Sequence, residues 1–202
     1  MSDCVPPLGS DVVFALLAAG KSERFGGDKL AARLGNTTLL ERAIAAVDQA
    51  KFTNKLLIVS RWRNVAEPEG WRRVVNEDAA SGMASSICCA LKHAGDANRF
   101  VLGLADMPFV PPDHLRNLAR ATGVVFTRQA DGSNGAPAAF PKSEWHRLRD
   151  LSGDRGAGSL VWDGARSIDI GETERLQDID TPSDLEQSAH RLATIDSSGN
   201  EM

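Results

Sequence analysis

The sequence has no long apolar run, few cysteines and no excess of basic charge, and each of these absences excludes a class of protein. No segment approaches the roughly 18 apolar residues that span a bilayer, and the first residues, MSDCVPPLGSD, lack the basic and apolar regions of a secretory signal. The three cysteines have neither metal-ligand spacing nor the even number of a disulfide framework. We therefore expect a cytoplasmic protein with reduced thiols and no membrane partner.

The charge balance argues against a nucleic-acid partner. The 202 residues include 23 lysines and arginines and 27 aspartates and glutamates, which gives a formal net charge of −4. A nucleic-acid groove needs a clustered basic surface, whereas a few local cations and backbone N–H groups are enough for a small anionic ligand. With 42% apolar and 25% charged residues, the composition is that of a globular protein whose length fits one domain.

Alternating strand and helix patterns predict an α/β fold. Continuous apolar runs at 12–18, 56–59 and 100–104 are typical of strands buried on both faces of a parallel sheet. Strands that alternate with helices predict a three-layer α/β/α sandwich with a mostly parallel sheet. The other predicted strands are 73–75, 124–127, 136–140 and 167–170, and the predicted helices are 38–50, 82–93, 111–121, 143–151, 157–162 and 181–193. The predicted organisation is a flexible N-terminus over 1–10, a single domain over 11–194 and a disordered tail over 195–202.

The loop after the first strand has the chemistry of a phosphate-binding loop. It follows the carboxyl end of a strand, where ligands bind in open α/β sheets, and reads LAAGKSERFGGDK from Leu17 to Lys29. Small residues at 18–20 let backbone N–H groups approach a ligand, while Arg24 and Lys29 supply cations for a triphosphate. The loop is not a Walker A motif, because position 15 is alanine, and no GxGxxG pattern occurs. The alternative is a plain strand-to-helix connection, which usually takes only about 2–6 residues.

Two acidic segments are candidates for a magnesium site. Asp106 directly follows an apolar strand, so its carboxylate emerges on the ligand side of the sheet. Mg²⁺ takes one or two carboxylates together with substrate phosphates. Asp178 and Asp180 flank the apolar Ile179, and strand-like alternation puts both on one side, where one is a second metal ligand or an acceptor contact. The alternatives are ordinary turn chemistry at Asp106 and an acidic segment that leads into a helix at the second position.

Together these segments resemble the MobA-like NTP transferase family, most closely its molybdenum cofactor cytidylyltransferase branch. LAAGKSERFGGDK resembles the family's LAAGxSxRxGxxK loop, and LADMP, which contains Asp106, resembles its metal-binding turn. LAAG and GMASS favour the cytidylyl branch, whereas GGDK is similar to the guanylyl branch. The remaining segments follow in the family's order over about residues 12–190: SGMASS from position 81, NGAP from 134, SGDRGA from 152 and DIDTPSDL from 178.

The resemblance implies a Rossmann-like fold and a reaction in which CMP, or GMP, passes from CTP or GTP to the phosphate of molybdopterin with Mg²⁺ and release of pyrophosphate. A molybdoenzyme is the further partner that it implies. By position, it assigns catalytic roles to Arg24, Lys29 and Asp106, and metal binding to Asp106 and Asp180. The implied nucleotide-binding residues are Leu17, Ala18, Ala19, Gly20, Arg24, Lys29, Asn76, Gly82 and Ser85, and the implied acceptor-binding residues are Asn134, Pro137, Arg155 and Asp178.

Two other functions stay open at this point. A cytidylyl- or sugar-nucleotidyltransferase could use the same loop on another phosphorylated small molecule, and the acceptor pocket formed by residues 131–160 would decide between acceptors. A non-catalytic protein that binds a nucleotide or cofactor for a molybdoenzyme is the second alternative. The joint presence of Arg24, Lys29 and Asp106 argues against it, because a pure binder needs no metal carboxylate.

Overall fold

The computed structural model describes residues 5–198, and its central feature is a seven-stranded sheet between two layers of helices. The strands are β1 (Leu8–Ala18), β2 (Arg33–Leu34), β3 (Thr37–Thr38), β4 (Phe52–Ser60), β5 (Arg72–Asn76), β6 (Arg99–Leu104), β7 (Val125–Arg128), β8 (Asn134–Pro141) and β9 (Arg166–Ile168). The α-helices are α1 (Leu39–Gln49), α2 (Met83–Lys92), α3 (Pro112–Arg120), α4 (Trp145–Arg149) and α5 (Pro182–Ser198). β2 and β3 form a separate two-stranded hairpin.

The order of the strands creates a crevice beside β1. The sheet runs β5-β4-β1-β6-β8-β7-β9, and all neighbours are parallel except β8, which is antiparallel to β6 and β7. The chain leaves β1 toward β4 and β5 on one side and returns to β6 on the other. Ligands of open α/β sheets bind where the order reverses in this way, outside the carboxyl ends of the strands. The predicted Rossmann-like three-layer α/β/α architecture with a mostly parallel sheet is confirmed.

Side-chain alternation along the strands divides the apolar core between the two faces of the sheet. On β1, Phe14 and Leu16 belong to the core covered by α1, α3 and α5, whereas Val13 and Ala15 belong to the core covered by α2 and α4. Gly103 on β6 leaves the space that the Phe14 ring fills, because a Cβ atom there would lie 2.6 Å from the ring. The central strands therefore pack against both helix layers, and the loops lie at their carboxyl ends.

Capping residues fix where α1 and α5 begin. The Thr38 hydroxyl accepts a hydrogen bond from the Glu41 N–H, while the Glu41 carboxylate accepts one from the Thr38 N–H. Before α5, the Asp184 carboxylate accepts from the Thr181 N–H, and the Asp184 N–H donates to the Thr181 hydroxyl. The second cap fixes the course of the chain directly after Asp180.

Two central strands begin earlier than the sequence pattern predicts. β1 starts at Leu8, inside the segment predicted to be flexible, and β4 starts at Phe52. Leu8 pairs with Phe52 and both are buried, but the polar residues between Leu8 and Val12 interrupt the apolar run, so periodicity alone misses this pairing. The domain limits themselves stay predictions, and residues 1–4 lie outside the described part of the chain.

Two helices differ from their predicted extents. The predicted helix after Gly156 is only a 3₁₀ turn, Ala157–Ser159, because Gly156 and Gly158 weaken a helix. α5 continues to Ser198, into the predicted disordered tail, because no glycine or proline interrupts it after Pro182. The last four residues of that tail lie outside the described residues. Over residues 5–198, no helix has the combined length and apolar character that a bilayer crossing requires.

His114 on α3 is a buried titratable group that links this helix to the sheet. Its Nε2 atom lies 2.7 Å from the Thr127 hydroxyl, which itself donates to the Pro137 carbonyl. The hydroxyl therefore accepts from His114, and the imidazole needs only its neutral form for this contact. Burial lowers the pKa of His114 below its usual value of 6.5.

Acid should therefore destabilise the protein through His114. The folded state resists protonation of this ring, so its contribution is fully present above pH 6.5 and is lost as the pH falls below that value. In urea unfolding of the wild type, the free energy of unfolding should fall more steeply between pH 8 and pH 5 than it does in His114→Gln. The two slopes should differ by up to about 1.4 kcal/mol per pH unit. Equal slopes in the wild type and His114→Gln would contradict this assignment.

Candidate active site

Backbone hydrogen bonds bring three distant segments together at the carboxyl ends of β1 and β6. The Ala105 N–H donates to the Leu17 carbonyl at 3.0 Å, which joins the ends of the two strands. The Ile179 N–H donates to the Asp106 carbonyl at 3.0 Å, and the Ile179 side chain is fully buried. The segment before α5 is thereby fixed against the end of β6, with Asp180 next to the first loop.

Lys29 lies between two carboxylates. Its Nζ atom donates to Asp106 Oδ2 and to Asp180 Oδ1, at 2.7 Å in both cases. The side chain of Lys29 is 10% exposed, and those of Asp106 and Asp180 are 24% and 41% exposed. Burial lowers the pKa of Lys29, but the charges and hydrogen bonds of Asp106 and Asp180 outweigh burial and raise the pKa above its usual range. The group is therefore a fixed ammonium.

Arg24 adds an exposed cation to the same cluster. Its Nη1 atom lies 3.1 Å from Asp180 Oδ2, and its side chain is 79% exposed. An exposed pair of this kind contributes little to stability, because water screens it and the long side chain loses entropy. Arg24 can therefore exchange this partner for a ligand phosphate at small cost.

The carboxylates have the donor chemistry that a hard divalent cation requires. Asp106 Oδ1 is buried and has no hydrogen-bond partner among the described residues, although its sister oxygen accepts from Lys29. Partial burial and then the charges of Asp106 and Asp180 raise the pKa of Asp178 to about 6, against the opposing charge of Lys29. Asp178 keeps an exposed surface, and solvent there favours its charged form. In residues 5–198, no set of three or more acidic, histidine or cysteine side chains could hold a metal by itself, whereas Mg²⁺ needs only one or two carboxylates when phosphates complete its shell.

A cleft of about 340 Å³ lies beside this cluster. Its walls are the first loop, the start of α2 and the end of β6, and Asp154 also lines it. Five residues predicted to bind the nucleotide or the metal line this cleft: Leu17, Ala19, Gly20, Gly82 and Asp106. Ala18 is buried in β1 between two of them. Lys29 contacts Asp106, which lines the cleft, and Arg24 belongs to the same cluster through its pair with Asp180.

Two residues predicted to bind the nucleotide make hydrogen bonds that support the start of α2. The Asn76 side chain is buried and donates to the hydroxyls of Ser85 and Ser86 at 2.9 and 3.0 Å, while its oxygen accepts from the Asp78 N–H. The Ser85 hydroxyl donates in turn to the Gly82 carbonyl. Ser86, not Ser85, lines the cleft.

The residues predicted to bind the acceptor are divided between two places. A second cavity of about 250 Å³ shares Met83 and Leu104 with the main cleft, and Asn134 lines it. Arg155 contacts this region through Ser159, whose hydroxyl lies 3.3 Å from Arg155 Nε. Two members of the set lie outside its lining: Pro137 is buried in β8, and Asp178 belongs to the carboxylate cluster.

Sequence patterns missed Arg63, a buried arginine that contacts the first loop. It follows β4, and its guanidinium donates to the Gly20 carbonyl at 3.2 Å and pairs with Asp28. A basic residue just past the carboxyl end of a strand next to β1 is the only signal that could have indicated it. That signal is weak, because Arg61 lies two positions earlier in the same turn and does not have this role.

Comparison with known proteins identifies the family. The sequence profile of the MobA-like NTP transferase domain matches residues 14–167. The chain belongs to this family. It is therefore a MobA-like nucleotidyltransferase. The matched region contains the first loop, the cleft and Asp106, and Asp180 contacts it through Lys29.

Relatives of this MobA-like chain have several names. It is 32% identical over 133 residues to a probable molybdenum cofactor guanylyltransferase of Opitutus terrae, which is 63% of this chain and just under two thirds, 65%, of that protein. It is 26% identical over 194 residues to the purine catabolism protein PucB of Bacillus subtilis, covering 87% and 94% of the two chains. The crystal structure of Rv0371c from Mycobacterium tuberculosis in complex with manganese superposes with a TM-score of 0.72 at 27% identity, over 89% of this chain and 98% of that one.

Gly82 is the point where the first turn of α2 meets the turn at Gly153. Its φ of +98° is a conformation that side-chain-bearing residues rarely adopt, and a Cβ atom would lie 2.4 Å from the Gly153 backbone. The close approach lets the Gly153 carbonyl accept from the Ala84 N–H at 3.1 Å. The wall of the cleft therefore depends on the absence of a side chain at this position.

We expect Gly82→Ala to damage both stability and nucleotide binding. The backbone strain should lower the free energy of unfolding by about 1–3 kcal/mol, and the displaced wall should raise the dissociation constant of the nucleoside triphosphate several-fold. Gly95→Ala is the matched control, since Gly95 also has a positive φ but open space around it; it should lose only about 1–2 kcal/mol and bind nucleotide normally. Urea unfolding and calorimetric titration measure both quantities. Equal nucleotide affinity in the two variants would contradict the role of Gly82.

Proposed function

We propose that this protein transfers a nucleoside monophosphate from CTP or GTP to the terminal phosphate of a molybdopterin-type acceptor, with Mg²⁺ and release of pyrophosphate. One observation carries the proposal. Lys29 contacts both Asp106 and Asp180 at the edge of a cleft that the first loop forms. A triphosphate at that edge would meet, in one cluster, cations for its phosphates and a carboxylate pair for its metal ion.

The first loop is suited to bind the triphosphate of the donor. Its small residues Ala19 and Gly20 line the cleft, so ligand atoms can approach the backbone closely. Arg24 and Lys29 then neutralise the phosphates, Arg24 by leaving its exposed pair with Asp180 and Lys29 from its fixed position. Neutralisation by positioned cations is the main protein contribution in reactions of this type.

Asp106 and Asp180 are the residues that would hold Mg²⁺. The unpaired, buried oxygen of Asp106 supports this assignment, since a buried acceptor without a partner is costly unless a ligand completes it. When bound, the ion neutralises phosphate charge and aligns the reacting groups. The manganese complex of the relative Rv0371c supports the choice of a divalent cation.

The chemical step requires positioning more than proton transfer. An oxygen of the acceptor phosphate attacks the α-phosphorus of the donor, the new P–O bond forms, and the bond to the bridging oxygen breaks as pyrophosphate leaves with the electron pair. The acceptor is a phosphate monoester with a second pKa of about 6, so near pH 7 it attacks without a general base. The smaller cavity beside Asn134 is the proposed acceptor pocket, because it opens beside the donor cleft at Met83 and Leu104.

Replacing Asp106 separates an enzyme from a carrier. Asp106→Asn keeps the shape of the side chain but removes a charge, and we expect pyrophosphate release to fall by about 10²–10³-fold. Donor affinity should change only a few-fold, because the loop contacts remain. Asp169→Asn is the control, since Asp169 is an exposed acid paired with Arg128 on the far edge of the sheet. Unchanged pyrophosphate release in Asp106→Asn would favour the non-catalytic accessory protein.

The donor and acceptor can be tested in one assay. Purified protein is supplied with Mg²⁺, molybdopterin and one of CTP, GTP, ATP or UTP, and pyrophosphate is measured. We expect release with CTP or GTP only, and only when molybdopterin is present. A signal with CTP alone assigns the cytidylyl branch, and one with GTP alone the guanylyl branch. No signal with any of the four would refute the molybdopterin acceptor and favour another phosphorylated small molecule.

A further inference from the structure

Arg63 is one of the most deeply buried charged residues of the described chain, and the reaction outlined above gives it no direct role. Its side chain is 7% exposed. The backbone around it is fixed on both sides, because the Arg63 N–H donates to the Ser60 carbonyl at 3.1 Å and its own carbonyl accepts from Arg73 Nη2 at 3.3 Å. Because its backbone is fixed, the buried side chain has few alternative positions. Burying a guanidinium is costly unless its partners are fixed as well.

Both partners of the Arg63 guanidinium belong to the first loop, one at each end. Nη2 donates to the carbonyl of Gly20, where the chain leaves β1, and Nη1 pairs with the carboxylate of Asp28. The loop between them includes Arg24 and the left-handed Ser22. Because one planar group contacts both ends, it limits how far the loop can open.

Asp28 links Arg63 to the backbone turn that carries Lys29. The oxygen of Asp28 that pairs with Arg63 also accepts from the Leu30 N–H at 3.1 Å, which caps the 3₁₀ turn Lys29–Ala31. A continuous series of contacts therefore leads from Arg63 through Asp28 to the start of the turn that carries the Lys29 ammonium. Lysine itself has a long, flexible side chain, so its position depends on the backbone that carries it.

We propose that Arg63 is a positioning residue, which joins the two ends of the nucleotide loop and thereby sets where Lys29 lies against Asp106 and Asp180. Arg63 acts through Asp28 and Gly20 and does not itself touch the phosphates. Its effect on kinetics rests on the proposed function, but its effect on the loop does not.

The first test measures how well ordered the loop is, and this measurement requires no substrate. Trypsin cleaves after Lys21 and Arg24, and both side chains are more than half exposed. In Arg63→Met, we expect cleavage at these two sites to be several-fold faster than in the wild type, while sites outside the loop keep their rates. Arg63→Lys can replace only one of the two contacts and should give an intermediate rate.

The second test separates positioning from stability. In Arg63→Met, KM for the nucleoside triphosphate should rise about 10–100-fold, with a smaller change in kcat, because the loop contacts the donor before and during the reaction. Arg116→Met is the matched control. Arg116 is also buried and donates to the carbonyls of Ala50 and Pro6, near the opposite end of β1, so its loss should lower stability without changing KM or loop cleavage.

Asp28→Asn supplies an independent check in case Arg63→Met folds poorly. The amide oxygen can still cap Leu30, but the ion pair is lost, so KM and loop cleavage should rise less than in Arg63→Met. Since both changes remove the same link, the double variant should resemble Arg63→Met alone. Additive effects would overturn the link through Asp28.

Wild-type loop cleavage in Arg63→Met would overturn the inference, and so would equal increases of KM in Arg63→Met and Arg116→Met. If the wild type proves inactive with every donor, the proposed function fails. The trypsin rates of Arg63→Met and Arg116→Met then still decide whether Arg63 orders the loop.

Discussion

The contact of one lysine with two carboxylates is the interaction on which the rest of the site depends. Lys29 lies 77 residues from Asp106 and 151 residues from Asp180 along the chain, yet its ammonium is 2.7 Å from both. Each partner is positioned by a different part of the fold: the first loop, the end of β6 and the cap of α5. If any of the three moved, the largely buried ammonium would lose at least one of its two partners. Three separate elements of the fold therefore set the position of Lys29 relative to its two carboxylates.

Electrostatics explains why this cluster suits a nucleotide with its metal ion. The carboxylates of Asp106 and Asp180 contact one fixed ammonium. Asp178 lies close enough for burial and then the charges of Asp106 and Asp180 to raise its pKa to about 6. Such a site attracts a cation. The first loop adds the exposed charge of Arg24, which pairs with Asp180, and close access to the backbone. A ligand with both negative charge and a bound divalent cation matches both features, and a metal-chelated triphosphate has this composition.

The sequence predicted the parts of this arrangement that depend on local pattern. Apolar runs located the central strands, and the position of Asp106 after such a run indicated which end of the sheet its carboxylate would face. The structure has the predicted loop and Asp106 in contact through Lys29. Features that depend on tertiary contacts were not predictable. Arg63 resembles any arginine in a turn until its partners are known, and Asn76, which matches a family position, uses its amide on serine hydroxyls of α2.

The central claim is that the carboxylates of Asp106 and Asp180 hold the metal ion while Lys29 binds the triphosphate. Crystals grown with Mn²⁺ and a non-hydrolysable analogue of CTP or GTP test it directly, through an anomalous difference map at the manganese absorption edge. We expect a single strong peak bonded to Asp106 and Asp180, with the Lys29 ammonium about 3 Å from a phosphate oxygen. A peak away from Asp106, or a triphosphate bound out of reach of Lys29, would contradict it.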